Sequence, residues 1–193
     1  HKLGLLQAQT PDADMNTSLN IWNLYQSQVN VSFSRFASFI EVGGRTGLGY
    51  RDTAQDAMCI PHADPAMCKT RLLQLLHGQV EMGYGLHLFD PAGFENNEEE
   101  DASPTVVPGA GKVRIHGLAD VCADDALWLI PAIAEYLRET GEMDFLWQSV
   151  PFADGGEATV YGHMKRALDF SFAQTGAHGV CKGLRADWND CLN

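Results

Sequence analysis

The sequence predicts a mainly α-helical chain built of helix pairs joined by long loops, as in an α-solenoid or an α/α-barrel. Two observations carry this. Apolar residues recur at helical spacing in several segments, and capping and stop residues bracket them. Where that spacing fades, glycine, proline and acids take over, so the intervals read as loops. With 193 residues, the chain is long enough for one domain with its own core.

In chain order, Thr17 or Ser18 is placed to cap a helix carrying Ile21, Trp22, Leu24, Tyr25 and Val29 on one stripe. Phe33, Phe36, Phe39 and Ile40 continue it, and a glycine-rich turn runs from Gly43 to Gly49. Asp52 or Thr53 then starts a short helix through Met58. Asp64-Pro65 reads as cap and first residue of a helix to about His77, with Leu72, Leu73, Leu75 and Leu76 buried. From Gly83 to Asp120 a long irregular loop is expected, with room for short strands. Asp124 opens the clearest helix, with Leu127, Trp128, Ile130, Ile133 and Leu137 on its apolar side and Gly141 as its stop. Pro131 must kink that helix or lie in its first turns. Glu157 to Gln174 reads as a last amphipathic helix, ended by Gly176.

Net charge is −12, from 13 Lys+Arg against 25 Asp+Glu. Such an acidic chain lacks the footprint for nucleic acid or an anionic membrane. The longest apolar run, Ala126 to Ala134, is too short to span a bilayer. No basic stretch leads into an apolar one as a secretory leader would, and the five cysteines show no CxxC spacing. A cytoplasmic protein with reduced thiols and no metal is expected. An apolar-aromatic end carrying two carboxylates, Asp187 to Asn193, reads as an interior of a longer polypeptide. The piece alone is therefore expected to be inactive.

Three segments carry chemistry. Arg45 and Arg51 flank Gly47 and Gly49, with Asp52 and Asp56 just beyond. Guanidinium forks grip phosphate or carboxylate, and carboxylates grip sugar hydroxyls, so the segment suits a sugar beside an anion. An ordinary tight turn explains the same residues equally well. Arg35, among phenylalanines, adds a third cation. Asp124-Asp125 is an acid pair at a helix start, where an N-cap with an acidic first turn is the common case. A general acid needs burial or a second carboxylate to raise its pKa. Asp187-Trp188-Asn189-Asp190 combines a stacking ring with acids and an amide, as sugar pockets do and as Asx turns also do. The histidines are scattered and read as structural, with His116 and His178 as weak pocket candidates because each precedes a glycine.

Taken in order, Asn20-Ile21-Trp22-Asn23-Leu24-Tyr25-Gln26, Phe33-Ser34-Arg35-Phe36-Ala37-Ser38, Gly44-Arg45-Thr46-Gly47-Leu48-Gly49-Tyr50-Arg51-Asp52-Thr53-Ala54-Gln55-Asp56, Asp124-Asp125-Ala126-Leu127-Trp128-Leu129 and Gly183-Leu184-Arg185-Ala186-Asp187-Trp188-Asn189-Asp190-Cys191-Leu192-Asn193 resemble glycoside hydrolase family 94. This is the family of cellobiose, cellodextrin and N,N′-diacetylchitobiose phosphorylases. The resemblance implies a six-hairpin (α/α)6 barrel, of which this chain holds part, with an N-terminal β-sandwich elsewhere. It implies inverting phosphorolysis of a β-linked sugar with inorganic phosphate as co-substrate and no cofactor, in a homodimeric whole enzyme. Asp124 is then the general acid. Arg35, Arg51, Asp52, Cys122, Asp125, Asp187, Trp188 and Asp190 fall in the sugar-binding motifs, and Arg45 beside the phosphate. Cys122 stands where members often carry an aromatic. The wording around Arg45 and of Gly83 to Asp90 points to cellodextrin or cellobiose, with N,N′-diacetylchitobiose as the alternative substrate. A hydrolase on the same barrel would need Asp187 or Asp190 as a base. A non-catalytic sugar-binding helical module is the remaining reading.

Overall fold

A computed structural model describes residues 7–33, 47–91, 115 and 117–188. Among them helix predominates, as the apolar spacing predicts. Phe36, Phe39, Ile40, Arg35, Arg45, His116, Asp190 and the acidic run from Glu95 to Asp101 lie outside the described residues.

The first helix begins earlier than expected. Helix α1, Ala13–Thr17, is capped by the Asp12 carboxylate, which accepts from the N–H groups of Asp14 and Met15. A π turn, Ser18–Trp22, leads into α2, Asn23–Phe33. Thr17 and Ser18 are therefore helical residues, not caps. The expected stripe also splits: Leu24 and Val31 are buried, while Ile21, Trp22 and Tyr25 are about half exposed. The wider π turn shifts the phase of the helix, so residues before and after it do not share a face.

Strand β1, Leu48–Gly49, pairs antiparallel with β2, Leu88–Phe89, with Leu48 opposite Phe89 and Gly49 opposite Leu88. Gly47 is required here: its φ is +119°, and a Cβ would stand 2.6 Å from the Phe89 carbonyl oxygen. Helix α3, Tyr50–Ala57, starts directly from β1 instead of at Asp52 or Thr53. The physical reason is the strand pair: the Tyr50 N–H donates to the His87 carbonyl at 3.0 Å, so the helix end needs no Asx cap.

Helix α4, Pro65–His77, follows the sequence reading, with the Asp64 carboxylate accepting from the Met67 N–H at 3.2 Å. Leu72, Leu75 and Leu76 are fully buried, and Leu73 is half-buried. A 3-10 turn, Leu118–Asp120, precedes Cys122, which bridges to Leu184 and Ala186. A second 3-10 turn, Asp125–Trp128, then opens α5, Leu129–Thr140. Pro131 lies in the first α-turn, where its missing N–H has no intrahelical acceptor to lose. Gly141 closes α5 with φ +69°, its N–H donating to the Leu137 carbonyl at 2.8 Å.

The last helix is shorter than its apolar pattern. Glu157–Thr159 forms strand β4 against β3, Ser149–Pro151, and α6 spans Val160–Ala173. The Thr159 hydroxyl accepts from the Gly162 N–H at 3.1 Å and marks the true start. Buried His163 ties α6 down, bonding Gln79 at 2.7 Å and the Val150 carbonyl at 3.0 Å. Helices α3, α4 and α5 pack on one another, and the Asp125–Trp128 turn packs on α3 and α6. Tyr50, Leu75, Leu129, Ile133 and Phe145 form the centre of that core, and burial of each of the four apolar side chains is worth about 1.5–3 kcal/mol. The rigid junction of α3 with the Asp125–Trp128 turn carries the site described next.

Candidate active site

Arg51 is the second residue of α3, a position where the helix dipole disfavours a cation. It is 3% exposed, so its charge needs partners. Its Nη1 donates to Asp124 Oδ1 at 3.2 Å and to the Asp187 carbonyl at 2.8 Å. The Trp188 ring lies 4.9 Å from the guanidinium carbon, a cation–π contact. These contacts draw residues 51, 124, 187 and 188 together from three segments. The last segment is delivered by backbone pairing: Ala123 N–H donates to the Ala186 carbonyl at 2.7 Å, and Arg185 N–H to the Val121 carbonyl at 3.0 Å. Just before Arg185 and Ala186, Leu184 takes φ +54°, an unusual conformation for leucine.

The two adjacent acids part company. Asp124 makes no cap bond to the turn it precedes. Its other oxygen accepts from the Trp128 indole N–H at 3.0 Å, and its side chain is 19% exposed. Asp125 is fully buried and lies 3.1 Å from His87 Nδ1. Burial pushes the Asp125 carboxyl up, against the opposing pull of His87. His87 in turn is raised to about 10, chiefly by its bond to Asp125 and secondarily by one to Cys122. The facing carboxylate accounts for the rise at His87, and burial alone outweighs the imidazolium at Asp125. The burial expected for Asp124, the general acid implied by the resemblance, falls instead on Asp125.

Two further residues line the buried side. Cys122 is 4% exposed and is a free thiol. Tyr50 is fully buried, and its hydroxyl has no hydrogen-bond partner among the described residues. Burial and then the Asp125 charge raise its pKa. Gly85 lets the β2 loop lie flat on the Tyr50 ring, since a Cβ there would stand 2.7 Å from the ring edge. That contact helps bring His87 to Asp125.

Of the residues singled out in the sequence, Arg51, Cys122, Asp124, Asp125, Asp187 and Trp188 come together. Asp52 lies in the first turn of α3, half-buried, with its carboxylate turned back over Gly49. His178 is exposed on a distant turn and joins none of this. Sequence reasoning missed His87, Tyr50 and the partner role of Trp128. His87 had one legible signal, two glycines just before it at 83 and 85, which permit close backbone approach.

A partly exposed carboxyl between an arginine and an indole N–H, beside an exposed tryptophan face, suits acid catalysis on a sugar. N,N′-diacetylchitobiose phosphorylase of Vibrio proteolyticus is 60% identical over 97% of this chain, which covers 24% of that protein. The enzyme of the same name from Vibrio furnissii is 56% identical, with the same coverage. A 3-O-beta-D-glucopyranosyl-beta-D-glucuronide phosphorylase of Paenibacillus borealis is 29% identical over 98% of the chain, which covers 22% of it. The chain thus spans about a quarter of the length of these relatives. The family model described as "Glycosyl hydrolase 94 superfamily, catalytic domain" matches residues 1–193, and the chain belongs to that family.

Proposed function

We propose that this chain is the acid-bearing part of an inverting phosphorylase whose substrate is N,N′-diacetylchitobiose. The observation that carries it is the separation of the two acids: Asp124 reaches the surface between Arg51 and Trp128, while Asp125 is sealed against His87. Of the pair, Asp124 is the one a ligand reaches, and it is assigned as the general acid. It protonates the glycosidic oxygen as phosphate attacks the anomeric carbon from the opposite face. The products are α-N-acetylglucosamine 1-phosphate and N-acetylglucosamine. Phosphate is itself an anionic nucleophile, so no second carboxylate is needed as a base.

Arg51, with Arg35 and Asp52, is assigned to the donor sugar, Arg45 to the phosphate, and Trp188 to ring stacking. The remaining phosphate ligands, and the rest of an (α/α)6 barrel, are assigned to parts of a longer protein. The substrate follows from similarity. At 60% and 56% identity the relatives named for chitobiose stand far above the 29% relative named for a glucosyl-glucuronide. The cellodextrin preference read from Gly83 to Asp90 gives way to the chitobiose alternative on that ground.

The test is a donor choice in the synthetic direction by the full-length protein. With N-acetylglucosamine as acceptor, α-N-acetylglucosamine 1-phosphate is expected to give disaccharide and free phosphate, and α-glucose 1-phosphate little. Preference for the glucosyl donor would restore the cellodextrin reading, and disaccharide cleavage independent of phosphate would make the enzyme a hydrolase.

A further inference from the structure

The buried side of the site contains more chemistry than acid catalysis uses. His87, Cys122 and Asp125 each offer one ligand atom, and all three atoms lie within 4.8 Å of one another. They reach this point from separate segments: the β2 loop, the strand-like bridge to Leu184, and the 3-10 turn before α5. Imidazole nitrogen, thiolate and carboxylate together are a mixed N, S, O set, which borderline-soft cations prefer and hard ones such as magnesium do not. Two of the three residues are buried, so water competes weakly. The Tyr50 hydroxyl is also buried, without a partner among the described residues.

From this geometry we infer that His87, Cys122 and Asp125 form a binding site for one thiophilic divalent cation of the zinc class. The ligands are His87 Nδ1, Cys122 Sγ and one Asp125 oxygen, with a fourth position left to water. Tetrahedral ligand atoms at zinc bond lengths lie roughly 3.5 Å apart. His87 and Asp125 already meet that spacing, and Cys122 Sγ lies within 4.8 Å of both. On binding, the Cys122 thiol and the His87 imidazolium give up protons to solvent. A dication held there replaces the His87–Asp125 hydrogen bond with two metal bonds and puts a double positive charge one residue from Asp124. Occupancy therefore inhibits turnover, and the site is a point of inhibition by metal and not a cofactor site.

The test uses the full-length protein stripped of metal and titrated with cobalt(II). The expected result is a single tight site with a thiolate-to-cobalt charge-transfer band, removed by zinc. Cys122→Ser should abolish the band, and His87→Gln should weaken binding by at least about 100-fold, since even outer-shell ligand partners are worth 10–100-fold. His87 is half open to solvent, so His87→Gln keeps the test valid should Cys122→Ser not fold. Absence of the band overturns the inference, as does a band that survives both substitutions, which would belong to another thiol such as exposed Cys59. This readout is independent of which sugar the enzyme takes. Zinc inhibition reversed by chelator, and lost with the His87 change, is the expected kinetic counterpart.

Discussion

Two neighbouring regions of the site meet at the peptide between Asp124 and Asp125. On one side a carboxylate at 19% exposure stands between Arg51 and Trp128, with the Trp188 face nearby. On the other a carboxylate at 0% exposure faces His87, with Cys122 and Tyr50 around it. Adjacent residues diverge in this way because a 3-10 turn follows Asp124. Successive side chains in such a turn point about 120° apart, so one faces the mouth and the next faces the core. Identity of side chain therefore says little about role here, and the local backbone says much.

The comparison is broken most severely at its open side. Asp124→Asn keeps the shape and can still accept from Arg51, but it cannot donate a proton to the leaving sugar. Phosphorolysis in the full-length protein should fall by about 10²- to 10⁴-fold with sugar binding nearly unchanged, as kcat and KM measured separately will show. Next comes Arg51→Met, which leaves Asp124 without its cation and the Asp187 carbonyl without its donor. Removing one partner of a buried pair costs about 3–5 kcal/mol; Asp124 is partly exposed, so the lower end is expected in a denaturant titration.

The smallest effect belongs to the sealed side. His87 titrates near 6.5 when unfolded and at about 10 in the fold. The folded state therefore keeps a proton that the unfolded state loses between those values. Its stabilisation is complete below 6.5 and disappears as the pH rises through 10. The raised Asp125 carboxyl acts with the same sign at lower pH. His87→Gln should thus flatten the loss of stability between about pH 7 and 10. The difference should be only a degree or two in Tm, because a pair half open to water contributes at most about 1 kcal/mol. An unchanged slope would mean that the ion pair is absent.

Much of this was legible in the sequence, unevenly. Asp64-Pro65 marked α4 and Gly141 closed α5, since caps act locally and no distant contact competes with them. The start of α3 was misread because a strand partner, His87, supplies what an Asx cap otherwise would. Glu157–Thr159 was misread because hairpin pairing with β3 outweighed helical spacing. At the site, Arg51, Cys122, Asp124, Asp187 and Trp188 were found by residue type and order. Their arrangement was not, because the Arg51–Asp124 contact joins residues 73 positions apart. His87 was passed over because a lone histidine has no local pattern, and only the fold supplies its carboxylate and thiol.

The central claim is that Asp124, and not Asp125, delivers the proton. It is tested most directly with the Asp124→Asn protein and two donors, N,N′-diacetylchitobiose and an aryl β-N-acetylglucosaminide whose phenolate leaves unaided. A missing general acid matters only where the leaving group needs its proton. The account predicts that phosphorolysis of the disaccharide collapses while that of the aryl substrate stays near the unsubstituted rate. Equal losses on both donors, or full activity on the disaccharide, would contradict it.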